Sequence, residues 1–148
     1  MKFYSSIIIN APREKVVKYF NDPSNLSKYQ DTFLRKELIN GEFQKEGSQS
    51  MMYYQQGKGE MELKETIVES NLPDSFKGLY EHKHMDNTLE VTFTDLGNNQ
   101  TKYETFTHYT RIDWIMPRIV MTLFKGQFKK IANKWNENFK KLVEESED

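Results

Sequence analysis

The spacing of apolar residues changes period twice along the chain. Lys2 to Asn10 is rich in β-branched and aromatic residues and predicts a strand. From Ala11 to Phe20 the spacing turns helical: Val16, Val17 and Phe20 share a face, and Pro12 suits a first helical position, where its missing N–H costs nothing. Asp22-Pro23 repeats the start signal, with Asp22 as cap and Pro23 opening a second short helix through Tyr29. Leu26 and Tyr29 would face inward together.

From Thr32 to Ile112 the pattern reads as β. Short segments are separated by turn chemistry at Asn40-Gly41, Glu46-Gly47, Gly57-Lys58-Gly59, Leu72-Pro73-Asp74, Asp86-Asn87 and Gly97-Asn98-Asn99. Met61 and Leu63 alternate with Glu60, Glu62 and Lys64; Leu89, Val91 and Phe93 alternate with Thr88, Glu90, Thr92 and Thr94. Such alternation gives a sheet one buried face and one wet face. Short connections imply an antiparallel meander.

The period then lengthens again. From Met116 to Glu145, Val120, Phe124, Phe128, Ile131, Trp135, Phe139 and Leu142 recur every three or four residues, opposite Lys125, Lys129, Lys130, Lys134, Glu137 and Lys141. A helix of this length, on the order of 40 Å, is too long for a minor cap. Its stripe must lie along the concave side of the sheet. The expectation is therefore one α+β domain over residues 1–148: a curved antiparallel sheet of about seven strands around a long C-terminal helix, with two short helices after the first strand.

Composition narrows the function classes. Apolar residues are 36% of 148 and charged residues 29%, so the core must rely on 10 Phe, 8 Tyr and 2 Trp. A formal net charge of −1 argues against a broad nucleic-acid surface. With no cysteine, disulfides and thiolate sites are excluded. The N-terminal apolar run is too short for a signal-peptide core, and Ile112 to Phe124 is interrupted by Asp113, Pro117 and Arg118. A cytoplasmic protein without stable membrane insertion is the expectation.

The run Ser6-Ile7-Ile8-Ile9-Asn10-Ala11-Pro12-Arg13-Glu14-Lys15-Val16 resembles the opening strand and Ala-Pro-x-x-x-Val helix start of the START-like superfamily, the helix-grip group of polyketide cyclases and lipid carriers. Asp22-Pro23 with Leu26, Leu72-Pro73 before Phe76, and the terminal helix are similar to that family over essentially the whole chain. The resemblance implies a cavity for a hydrophobic molecule. It supports the fold and leaves the activity open.

Candidate chemistry sits on one strand. Phe76, Gly78, Tyr80, His82 and His84 share a face by period two, so Tyr80 and His82 would offer polar contacts on an apolar wall. His82-x-His84 lacks a third metal ligand, since His108 belongs two strands away and is out of phase with Tyr103, Thr105 and Thr107; no metal site or cofactor is expected. No Ser–His–Asp, paired-carboxylate or phosphate-loop signature accompanies the histidines. Glu65 reads as a solvated break in its strand; facing inward beside His82, it would be the most catalytic-looking outcome. Ile115, Met116, Ile119 and Met121 could form a membrane-surface patch, a homodimer contact or a lid.

The preferred reading is a non-enzymatic binder or carrier of a small hydrophobic molecule such as a lipid, polyketide or isoprenoid. Tyr53, Phe76, Tyr80, His82, Leu89, Val91, Phe93, Tyr103 and Thr105 would form the sheet wall, and Val120, Phe124, Phe128 and Ile131 the helix wall. Two alternatives stay open: a cyclase- or dehydratase-type enzyme using His82 or Tyr80, and an interaction module resembling the chaperone activators.

Overall fold

In the computed structural model, residues 1–113 and 118–147 are described, with side chains for 1–113 and 126–147. Strand β1 (Lys2–Ile9) leads into helix α1 (Arg13–Phe20), a 3-10 turn (Pro23–Asn25) and the single helical turn α2 (Leu26–Tyr29). Strands β2 (Phe33–Asn40), β3 (Gln49–Gln56), β4 (Gly59–Asn71), β5 (Ser75–Glu81), β6 (Met85–Gly97) and β7 (Gln100–Ile112) follow, then helix α3 (Arg118–Glu145). All seven strands form one antiparallel sheet ordered β1-β7-β6-β5-β4-β3-β2. The meander and the long terminal helix match the sequence pattern.

Local signals act as expected at the entry to the helices. Asp22 accepts from the Ser24 N–H at 3.0 Å, and Leu26 and Tyr29 are both buried. Pro12 stands one place earlier than its spacing suggested, as the residue capping α1. One turn differs. The chain reverses at His82–His84, where the His82 N–H donates to the Met85 carbonyl, and Asp86-Asn87 instead lies inside β6. Arg111 on β7 reaches Asp86 at 2.7 Å and holds this turn-like pair in the sheet.

The inner face of the sheet is covered unevenly. At one end Phe20 of α1 packs edge-on against Phe76 and Phe93, with ring centres 5.1 and 5.2 Å away. Phe139 of α3 meets Tyr103 at 5.2 Å and Tyr29 at 5.0 Å. Ile9, Val16, Ile67, Val91 and Val143 complete this buried core. Toward the other end, the inward side chains of Met61, Leu63, Leu89, Thr107 and Tyr109 are only half-buried. Two positions along α3 mark its path over this surface: Phe128 stacks on Tyr109, with ring centres 5.5 Å apart, and Trp135 stacks on Tyr54 at 5.9 Å. No helix among the described residues is long and apolar enough to cross a membrane.

Candidate functional site

Between the closed and half-open ends lies a buried polar network. In the register of β4, Glu65 follows Met61 and Leu63 on the inner face and precedes Ile67. It stands directly opposite Tyr80 on β5 and Ser50 on β3. The Tyr80 hydroxyl donates to Glu65 Oε2 at 2.8 Å. From edge strand β2, Lys36 Nζ reaches Glu65 Oε1 at 2.6 Å, and the two side chains are only 6% and 7% exposed. Lys36 also donates to Gln44 Oε1 at 2.9 Å, and Gln44 Nε2 donates to Asn21 Oδ1 at 3.2 Å.

The backbone explains how these groups meet. A bulge between Phe33 and Arg35 shifts the phase of β2, so that Phe33 opposite Tyr54 and Lys36 opposite Met52 both point inward. Ser50 of β3, opposite Glu65, and Ser48 just before the strand are both buried. On β5 a Cβ at Gly78 would lie 2.8 Å from the Tyr80 ring and hydroxyl. Glycine is therefore required for that ring to fold back along its own strand. The close approach predicted at Gly78 is made by Tyr80 itself.

Burial and the Glu65 charge shape the tyrosines. Desolvation, with the carboxylate as a further cause, pushes the Tyr80 hydroxyl well above its ordinary pKa, and Tyr29 and Tyr54 shift the same way. At neutral pH Tyr80 is therefore a hydrogen-bond donor. Its hydroxyl is strongly desolvated, while the residue as a whole keeps a minor part of its surface accessible. With Met61, Leu63 and Leu89 it packs as a partly buried residue against the core.

No protein-family model matches the sequence, and no curated protein does. Solved structures match in shape. The Zhui aromatase/cyclase from Streptomyces sp. R1128 gives a TM-score of 0.80 at 7% identity, over 97% of this chain and 93% of that one. A START superfamily protein from Mycobacterium smegmatis gives 0.71 at 10% identity, over 97% and 94%. The chain has the START-like, helix-grip fold. A conserved protein from Geobacillus kaustophilus, at 18% identity, gives 0.76 over 97% and 95%.

Within this START-like fold the predicted site residues separate into groups. Tyr80 and Leu89 border the half-open end. Phe76, Val91, Phe93, Tyr103 and Thr105 face inward as predicted and are buried, the first four within the hydrophobic core. Tyr53 is a correction: it points outward, with Arg35 3.9 Å over its ring, while Tyr54 takes the inner position. His82 is another. It lies in the β5–β6 turn, where its Nδ1 accepts from the His84 N–H at 3.2 Å; burial and the neighbouring His84, Arg111 and Lys83 lower its pKa. Among the described residues it makes no hydrogen bond to a buried carboxylate, the arrangement expected of an acid–base group.

Glu65 is a third correction, since it is buried rather than solvated and its partners are Lys36 and Tyr80 rather than His82. On α3, Phe128 is half-buried against Tyr109. Ile131 is 44% exposed and, among the described residues, borders an open depression of about 520 Å³ with Gly126, Gln127 and Lys130, without any strand residue. Val120 and Phe124, like Ile115, Met116, Ile119 and Met121, lie outside the described side chains. Among the described residues no three His, Asp or Glu side chains gather as a metal site requires.

Lys36, Tyr54 and Gln30 escaped the sequence reading. Lys36 is inward only because of the bulge, and Tyr54 because the repeat Met51-Met52-Tyr53-Tyr54 offers either phase equally. The Tyr54 hydroxyl donates to Gln30 Oε1 at 2.8 Å, tying β3 to the end of α2.

Proposed function

We propose that the protein binds a small, largely apolar molecule in the half-open space between the middle strands and the part of α3 around Phe128, with Glu65 and Tyr80 at its polar end. The observation that carries this reading is Tyr80, desolvated yet incompletely covered, beside a row of half-buried inward side chains. Apolar burial supplies the affinity, about 25 cal/mol per Å² before the costs of association. The polar network supplies orientation, as a few convergent polar groups do in apolar pockets. A buried ion pair contributes little net stability over apolar side chains of similar volume, so its position beside half-buried apolar side chains fits recognition better than folding.

Native mass spectrometry of gently purified protein and titration with the neutral dye N-phenyl-1-naphthylamine test the reading. The expected result is a bound small-molecule mass or a saturable fluorescence rise at one site per chain. Neither signal at micromolar protein would overturn it.

A second reading is favoured by the Tyr80–Glu65 hydrogen bond: an enzyme in which Glu65 accepts a proton while Tyr80 donates a hydrogen bond to the developing oxyanion. Glu65→Gln would then abolish turnover of a carbonyl substrate while dye binding persists. Equal turnover in both proteins would exclude it.

A further inference from the structure

The Lys36–Glu65–Tyr80 network has a definite remaining capacity for hydrogen bonds, and that capacity describes a ligand. Lys36 carries three donors, of which one goes to Glu65 and one to Gln44. Among the described residues the third has no protein partner. The Tyr80 hydroxyl spends its proton on Glu65 and keeps its oxygen as an acceptor. Each Glu65 oxygen has one partner and can accept again. The site therefore offers one donor and several acceptors within a pair whose charges cancel.

A hydroxyl group matches this inventory, since it donates once and accepts as well. It can give its proton to Glu65 or to the Tyr80 oxygen and receive from Lys36. A carboxylate has no proton to give and would set a second negative charge beside Glu65 in a desolvated space, leaving one charge uncompensated. An ammonium would compete with Lys36 for the same carboxylate. We infer that the Lys36–Glu65–Tyr80 network selects neutral, hydroxyl-bearing apolar molecules, alcohols or phenols, and rejects carboxylates of the same size. This rests on the proposed binding role and adds the chemical class of the ligand.

Displacement of bound N-phenyl-1-naphthylamine at pH 7.5 by matched pairs tests it: 2-naphthol against 2-naphthoate, and 1-dodecanol against dodecanoate. Each alcohol is expected to displace the dye at a concentration at least tenfold lower than its acid. In Glu65→Gln the repelling charge is gone, and the preference is expected to shrink below threefold or reverse. Tyr80→Phe provides a second arm: it frees Glu65 Oε2 as an acceptor, so 2-naphthol is expected to keep its advantage over 2-methoxynaphthalene, which cannot donate.

Acids that compete as well as alcohols in the native protein would overturn the inference and leave the binding role intact. So would a tenfold preference that survives Glu65→Gln in a folded protein, or loss of the 2-naphthol advantage in a folded Tyr80→Phe. Failure of the dye to bind the native protein at all would instead overturn the binding role on which the inference stands.

Discussion

The two ends of the sheet's inner face are built from the same kinds of residue and are finished differently. At the closed end Phe76, Phe93 and Tyr103 meet Phe20 and Phe139, and all of these but Phe20 are buried. At the other end Leu63, Leu89, Thr107 and Tyr109 point the same way and keep accessible surface. Strand periodicity assigns a side chain to a face. Whether that face becomes core or hollow is decided by what the helices bring to it. An aromatic row in a strand is thus equally good evidence for packing and for a pocket, and only its partners distinguish the two.

The largest expected difference appears at high pH. Tyr29, Tyr54 and Tyr103 are buried, and each is held in its neutral form by burial above the ordinary pKa. A raised folded-state pKa leaves stability intact below the unfolded value, near 10, and removes it as pH rises beyond. Each such tyrosine costs about 1.4 kcal/mol per pH unit there. Absorbance at 295 nm should therefore rise in a cooperative step together with loss of near-UV circular dichroism. Smooth ionisation of all the tyrosines near pH 10 with structure retained would contradict the closed end as described.

Single truncations should separate the ends next. Phe139→Ala should cost about 3–5 kcal/mol in chemical denaturation, because a packed aromatic leaves a cavity. Leu89→Ala should cost only about 1 kcal/mol, since it is only partly buried and only part of a leucine's burial is lost. Similar costs at both positions would erase the distinction.

The boundary network gives an effect of similar size with a different signature. Lys36→Met strands the Glu65 charge in a desolvated site and should cost about 3–5 kcal/mol. Lys36→Met combined with Glu65→Leu should recover most of that loss. Additive losses in the double variant would mean that the two charges are not coupled and would contradict the network as described. Gly78→Ala should be milder, about 1–3 kcal/mol, and should displace the Tyr80 ring from Glu65. A normal alkaline titration of Tyr80 in that variant, followed by NMR, would record the displacement.

Much of the fold was legible because its signals are repeated. The opening strand, the Asp22-Pro23 start, the meander and the α3 stripe are each supported by several residues with the same period. The site was less legible because it depends on single irregularities. No local residue announces the β2 bulge that turns Lys36 inward. The turn at His82–His84 has no Gly, Pro or Asn, whereas Asp86-Asn87, which looks like a turn, is held in β6 by Arg111. Glu65 is the exception. Met61, Leu63 and Ile67 share its phase, so the alternation already placed it inside; reading it as a break put its expected cost ahead of the pattern.

The central claim is that the half-open end, and not the closed one, accepts a small apolar molecule. Methyl NMR during titration with N-phenyl-1-naphthylamine tests it most directly. The Leu63 and Leu89 methyls should shift in saturable fashion while Val16, Val91 and Val143 stay in place. Shifts concentrated on the three valines, or none at Leu63 and Leu89 under saturating dye, would contradict the account.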